Sequence, residues 1–149
     1  MTVRAQDLVG LYELFSRHKY ERFADNFADD ATYHNVSAGI EALGRDDIVA
    51  MLKMWPIRFA DLKVTAIRAE KHASPDRRIS VPDADYLFQV KYRIAGRYVD
   101  PFPGLARMSL APAKGRIVAM NCSDFIWLNW ARRVLRTDCF MDTIQLFIQ

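Results

Sequence analysis

Phe27-Ala-Asp-Asp-Ala-Thr-Tyr-His-Asn35 lies where one kind of pattern gives way to another. Upstream of it, apolar residues recur at helical spacing. Leu8, Leu11, Tyr12 and Phe15 share one face, and Asp7 is placed as their N-cap. After a break at Arg17-His18-Lys19, the set Tyr20, Phe23 and Phe27 resumes that spacing until Asp29-Asp30 stops it. Ala31 to Val36 is short, β-prone and bounded by Ser37-Ala-Gly39, so it reads as a strand. The stretch therefore predicts a helix running into a strand.

Beyond it, Gly44-Arg-Asp-Asp47 opens another helix, with acidic residues in the first turn where the helix dipole favours them. Ile48, Met51, Leu52 and Trp55 form its apolar face, and Pro56 is expected to end it. Strands follow. Leu62 to Ile67 alternates, and Tyr86, Phe88, Val90 and Tyr92 alternate with Leu87, Gln89, Lys91 and Arg93. Ala95-Gly-Arg97 reads as a turn, with Tyr98-Val99 starting a return strand. Pro101-Phe-Pro-Gly104 interrupts that strand, and Leu105 to Ala111 continues it. After a turn at Pro112 to Gly115, Arg116 to Phe125 is the last long strand. Ile126 to Arg136 and Met141 to Ile148 both carry helical spacing. Helices segregated before an antiparallel sheet mean α+β, with a strongly twisted sheet curling around the helices and a pocket between them.

Composition narrows the function classes. The chain has 149 residues, 51% hydrophobic and 26% charged, which suits one globular domain. Its 21 basic and 18 acidic residues leave a net charge of +3. The basic residues are scattered apart from Arg77-Arg78 and Arg132-Arg133, unlike the clustered face of a nucleic-acid binder. Cys122 and Cys139 lack CxxC spacing, so they suggest neither a metal site nor a disulfide framework. No apolar run approaches the roughly 20 residues of a membrane helix, and the N-terminus lacks a secretion signal. The expectation is a cytoplasmic protein with no nucleic-acid or membrane partner.

With this order in place, the chain resembles the nuclear transport factor 2-like (NTF2-like) superfamily. Within it, the similarity is to SnoaL-like polyketide cyclases, ketosteroid isomerases and limonene-epoxide hydrolases. The residues that carry it are Phe27 to Asn35, then Gly44-Arg-Asp-Asp-Ile48, and Lys114-Gly-Arg-Ile-Val118. The resemblance implies a cone-shaped α+β fold over residues 1–136, with 137–149 as an extension packing on the domain or a partner. It also implies a homodimer formed through the outer face of the sheet, where Gln89, Lys91 and Arg93 would lie.

Each related site fits differently. Where ketosteroid isomerases carry a general base, this chain has Asn35, and an amide cannot take a proton in that way. Their two oxyanion donors would fall near Leu11 and Arg107. The tyrosine and asparagine of limonene-epoxide hydrolases match Tyr33 and Asn35. The remaining carboxylates of those enzymes would fall near Lys91 and Cys122. The general acid of SnoaL-like cyclases also falls at Cys122, but Asp124 lies two residues on, on the same strand face.

The expected catalytic set is thus Asp124 as proton shuttle, with Tyr33 and Asn35 orienting a carbonyl, hydroxyl or water. Phe88, Tyr92, Arg107 and Trp127 are the expected substrate-binding residues, acting without metal or cofactor on an apolar, oxygenated small molecule. Each has a plainer alternative. Tyr33 can be a core tyrosine, Asn35 a turn cap, Asp124 a helix N-cap and Arg107 an exposed strand residue. His34 alternates to the face opposite Tyr33. On those readings the protein is a non-catalytic NTF2-like module that binds a ligand or dimerises.

Overall fold

The structure is a computed structural model and describes residues 2–75, 80–99 and 115–142. The chain runs α1 (Ala5–Ser16), α2 (Tyr20–Ala24), β1 (Phe27–Asn35), β2 (Ile40–Leu43), α3 (Arg45–Leu52), α4 (Met54–Arg58), β3 (Phe59–Lys71), β4 (Tyr86–Tyr98), β5 (Ile117–Leu128) and β6 (Val134–Met141). The strands form one curved sheet in the order β2-β1-β6-β5-β4-β3. Every pairing is antiparallel except β1 with β6. The helices cover the concave face, which makes this the α+β NTF2-like fold.

α1 forms because Leu8, Leu11, Tyr12 and Phe15 align on one face, which it buries against β3 and β4. Asp7 sits inside the first turn rather than at the cap, and its carboxylate accepts the Arg4 N–H at 2.8 Å. Tyr12, Phe15, Phe23 and Tyr92 meet at tilted or edge-on angles, with ring centroids between 5.4 and 6.2 Å apart.

Phe27 is the first residue of β1, not the last of a helix. α2 ends at Ala24, and the Asn26 carbonyl then accepts the Val134 N–H at 2.9 Å, which commits Phe27 to pairing with β6. Gly44 precedes α3 with φ at 83°, a conformation in which a side chain would be strained. Its N–H reaches the Ala31 carbonyl at 2.8 Å. The Arg45 Nε donates to the Phe27 carbonyl at 2.8 Å, and its guanidinium lies 3.1 Å from Asp29. The two halves of the recognised motif are therefore bonded to each other. Pro56 does not end α3. It lies in the first turn of α4, where the N–H it lacks has no helical partner anyway.

β4 continues through Ala95-Gly-Arg97, where a turn was expected. Gly96 allows this, because a Cβ there would come within 3.0 Å of the Phe59 Cβ and 3.1 Å of the Ala60 carbonyl. The expected strand from Leu105 to Ala111 and Arg107 lie outside the described residues, as does most of the helix expected from Met141.

The helix expected over Ile126 to Arg136 is instead the end of β5, a turn and the start of β6. Asn129 makes the turn, its side-chain oxygen accepting the Arg133 N–H at 3.0 Å, while Arg132 takes a positive φ of 66°. Thr137, Cys139 and Met141 then face the core in alternation. β6 crosses the boundary placed at 136/137 and lies in the sheet between β1 and β5.

Candidate active site

Asp124 lies at mid-strand on β5, fully buried on the concave face. The β4–β5 pairing runs unbroken from Tyr86↔Leu128 to Arg97↔Ile117, so Asp124 reaches the interior without a bulge. Cys122 shares that face but is one pleat further along.

Three tyrosines from three elements converge on the Asp124 carboxylate. Tyr12 of α1 donates to Oδ2 in a short hydrogen bond. Tyr92 of β4 donates to Oδ1 at 3.0 Å, and Tyr33 of β1 reaches Oδ2 at 3.4 Å. Cys139 faces Asp124 directly across the β5–β6 ladder, with its Sγ 3.7 Å from the Tyr92 hydroxyl. All four neighbours are buried.

Burial pushes the Asp124 carboxyl up from 3.8 to about 6, and the hydrogen bonds donated by Tyr12, Cys139, Tyr92 and Tyr33 pull against that rise. Burial, and after it the charge of Asp124, drives the phenols of Tyr12, Tyr33 and Tyr92 well above their ordinary value. The Cys139 thiol is raised for the same reasons. The site is thus one titratable acid near neutrality, held by donors that keep their own protons.

Tyr33 and Asp124 come together as expected, and Asn35 does not join them. Its side-chain oxygen accepts the Ala38 N–H at 3.1 Å, capping the turn, and its amide nitrogen lies 3.7 Å from the Met141 sulfur. Phe88 is buried on the concave face, in register with Ile126. Tyr92, expected to contact substrate, holds the acid. Trp127 lies on the convex side of β5, where its Nε1 donates to the Pro75 carbonyl at 2.9 Å and the Arg136 guanidinium lies 5.8 Å from its ring. It lies three positions on from Asp124, an odd offset along the strand, so the pleat turns it away. His34 also faces outward, 3.8 Å from Glu41.

Sequence reasoning missed Tyr12 and Cys139. The position matched to an isomerase donor was Leu11, one residue short of the hydroxyl-bearing member of the same apolar face. Cys139 was hidden by reading β6 as helix and tail. Its signal was the alternation of Thr137, Cys139 and Met141 with Arg136, Asp138 and Phe140.

The comparisons with known proteins bear on the family and the fold. The profile of the SnoaL-like domain matches residues 8–128, and the chain belongs to that family. No curated protein matches it. Among solved structures, a candidate polyketide cyclase from Xanthomonas campestris pv. campestris superposes with a TM-score of 0.66 at 14% identity, covering 93% of this chain and 90% of that one. A protein of ketosteroid isomerase-like fold from Catenulispora acidiphila, solved with trimethylamine, gives 0.67 at 13% identity, covering 98% and 93%. A phenazine biosynthesis-related protein from Pseudomonas aeruginosa gives 0.60 at 15% identity, covering 97% and 83%. At such identities these likenesses speak for the fold alone.

Proposed function

We propose that this chain is a cofactor-independent enzyme that moves a proton on an apolar, oxygenated small molecule, in a cyclisation, isomerisation or hydration. The observation that carries this reading is the Asp124 carboxyl, raised to about 6 and held by Tyr12, Tyr92 and Tyr33. Near neutral pH such an acid is divided between its two forms, so it can give a proton to a developing enol and take one back. Tyr12 and Tyr92 fix its orientation. Tyr33 makes the longest of the three bonds and is the donor that turns to a ligand carbonyl when one enters. A recess of about 350 Å³ opens between α1 and the far ends of β5 and β6, lined by Leu8, Leu11, Leu128 and Val134 together with Gln6, Asp7, Asn26 and Arg132; Asp124 and its three tyrosines are not among its walls.

Solvent-deuterium exchange at the α-carbon of apolar ketones, followed by NMR, tests the reading. The wild type should exchange a ketone that fits, and Asp124→Asn should lose at least about 10²-fold with its circular dichroism unchanged. Undiminished exchange in Asp124→Asn removes the residue from the mechanism. A second reading, a non-catalytic NTF2-like module, is favoured by the complete burial of Asp124. Ligand binding with no exchange in any ketone would support it.

A further inference from the structure

On β6, Thr137 faces the concave side between its cross-strand neighbours Tyr33 of β1 and Ile126 of β5, and it is fully buried. Its hydroxyl has no hydrogen-bond partner among the described residues. A buried hydroxyl left unbonded destabilises the fold, because it gives up its bonds to water and gains none. A valine would fill the same space without that loss. Packing alone therefore gives no reason for a hydroxyl here, and the neighbouring polar groups give none either. Tyr12, Tyr92 and Tyr33 are turned on Asp124, and the Asn35 side chain holds the Ala38 N–H.

The ladder fixes where this hydroxyl stands. Asp124 pairs with Cys139, Ile126 with Thr137, and Leu128 with Val134. Successive rungs on one face lie about 7 Å apart, so Thr137 is one rung from the acid. The next rung, Leu128 and Val134, forms part of the wall of the recess beside α1, whose rim residues Gln6 and Gly10 are exposed. Acid, hydroxyl and recess thus follow one another along the concave face. The long Tyr33 side chain leans over to Asp124, whereas the short Thr137 side chain keeps its hydroxyl on its own rung.

We infer that Thr137 binds a second oxygen of the substrate, about one pleat repeat from the oxygen that meets Tyr33, and so selects ketones that carry a further hydroxyl, carbonyl or ether group. This rests on the proton-transfer reading for the reacting end alone. There the α-carbon proton passes to an Asp124 oxygen while its electron pair moves onto the carbonyl oxygen, which accepts from Tyr33, and the proton then returns to carbon. Thr137 takes no part in that exchange and holds the far end of the molecule. A hydroxyl both donates and accepts, so it suits each of those groups. An apolar group in their place would leave it unbonded, which is the basis for rejecting such a ligand.

Two ketones of nearly the same shape test the inference. In 4-hydroxycyclohexanone the two oxygens lie at opposite ends of the ring, and 4-methylcyclohexanone lacks the second. By α-deuterium exchange the wild type should favour the hydroxyketone at least about tenfold in kcat/KM. Thr137→Val should lose that preference while still exchanging 4-methylcyclohexanone, and Thr137→Ser should keep it. With no ligand present, Thr137→Val should also have the higher urea midpoint, which a hydroxyl with a structural role would not allow. Equal wild-type rates with the two ketones overturn the proposal, as does a preference that survives in Thr137→Val. So does a lowered midpoint in that variant, which would assign the hydroxyl a bond within the fold, such as one to a buried water. Failure of the proton-transfer reading looks different: neither ketone exchanges, or Asp124→Asn exchanges both undiminished. The Thr137 methyl resonance then decides the inference by itself. A shift with the hydroxyketone that the methyl analogue does not produce upholds binding at Thr137, and no shift overturns it.

Discussion

On β5, Asp124 points into the concave side, while Ser123 and Phe125 on either side of it point out. Inside, one carboxylate is removed from water and held by three phenols and a thiol. Outside, Lys91, Arg93 and Arg68 keep their heads in solvent. The difference is one of dielectric. A charge on the convex face is stabilised by water whatever the protein does, and its interactions are screened within about 10 Å. The interior charge depends on its donors alone, so each of them has a large effect. One strand therefore presents a chemically poised face and a tolerant one, and substitutions on the two sides should differ in both size and pH dependence.

The largest expected effect comes from removing the buried charge. The folded-state value of Asp124 lies at about 6 against 3.8 for the free side chain, so folding favours its protonated form. Stability from this group is fully present below about pH 4, falls as pH rises toward about 6, and is lost above that. The difference corresponds to an order of about 3 kcal/mol. Asp124→Asn should remove this slope. In urea denaturation it should be the more stable protein at about pH 8 and close to the wild type at about pH 4. A variant that keeps the wild-type slope would show that another group titrates there. Greater stability together with lost exchange activity would mark Asp124 as kept for function at a cost to the fold.

The donors come next. Tyr12→Phe removes the shortest bond to the carboxylate and leaves that oxygen to the more distant Tyr33. A bond to a charged group contributes about 1.5–3 kcal/mol, so a loss of that size is expected at neutral pH. The loss should shrink below about pH 4, where the acid is neutral. Tyr33→Phe, at 3.4 Å, should cost less than about 1 kcal/mol. Equal losses in the two variants would show that the tyrosines act as core volume rather than as donors.

How much of this could be read from the sequence follows the same division. Local rules placed α1, α3 and the period-2 face of β4, because each is a regular pattern over one element. The Phe27 to Asn35 and Gly44 to Ile48 motif was legible because Arg45 ties its two halves together through Asp29 and the Phe27 carbonyl. Asp124 was legible as the available acid on an inward face. What failed depended on contacts between distant elements. Trp127 to Val134 carries helical spacing, and only the Asn129 turn with the β1 and β5 edges makes it a hairpin. Phe27 fits a helix face until the pairing with Val134 claims it. Asn35 shared the Tyr33 face but was captured by its own turn. Short apolar runs are ambiguous between helix and strand, and the sheet decides them.

The smallest expected effect lies on the convex side. Lys91 is exposed and stands across from Arg68, so Lys91→Ala should change stability by less than about 0.5 kcal/mol. Its sign is the informative part. Removing one of two opposed like charges should leave the sheet slightly more stable, and the gain should grow at low ionic strength, where the repulsion is less screened. Denaturation midpoints at low and high salt resolve this. A loss greater than about 1 kcal/mol, or one insensitive to salt, would show that Lys91 is held by packing. The convex face would then follow the rules of the interior rather than those of solvent.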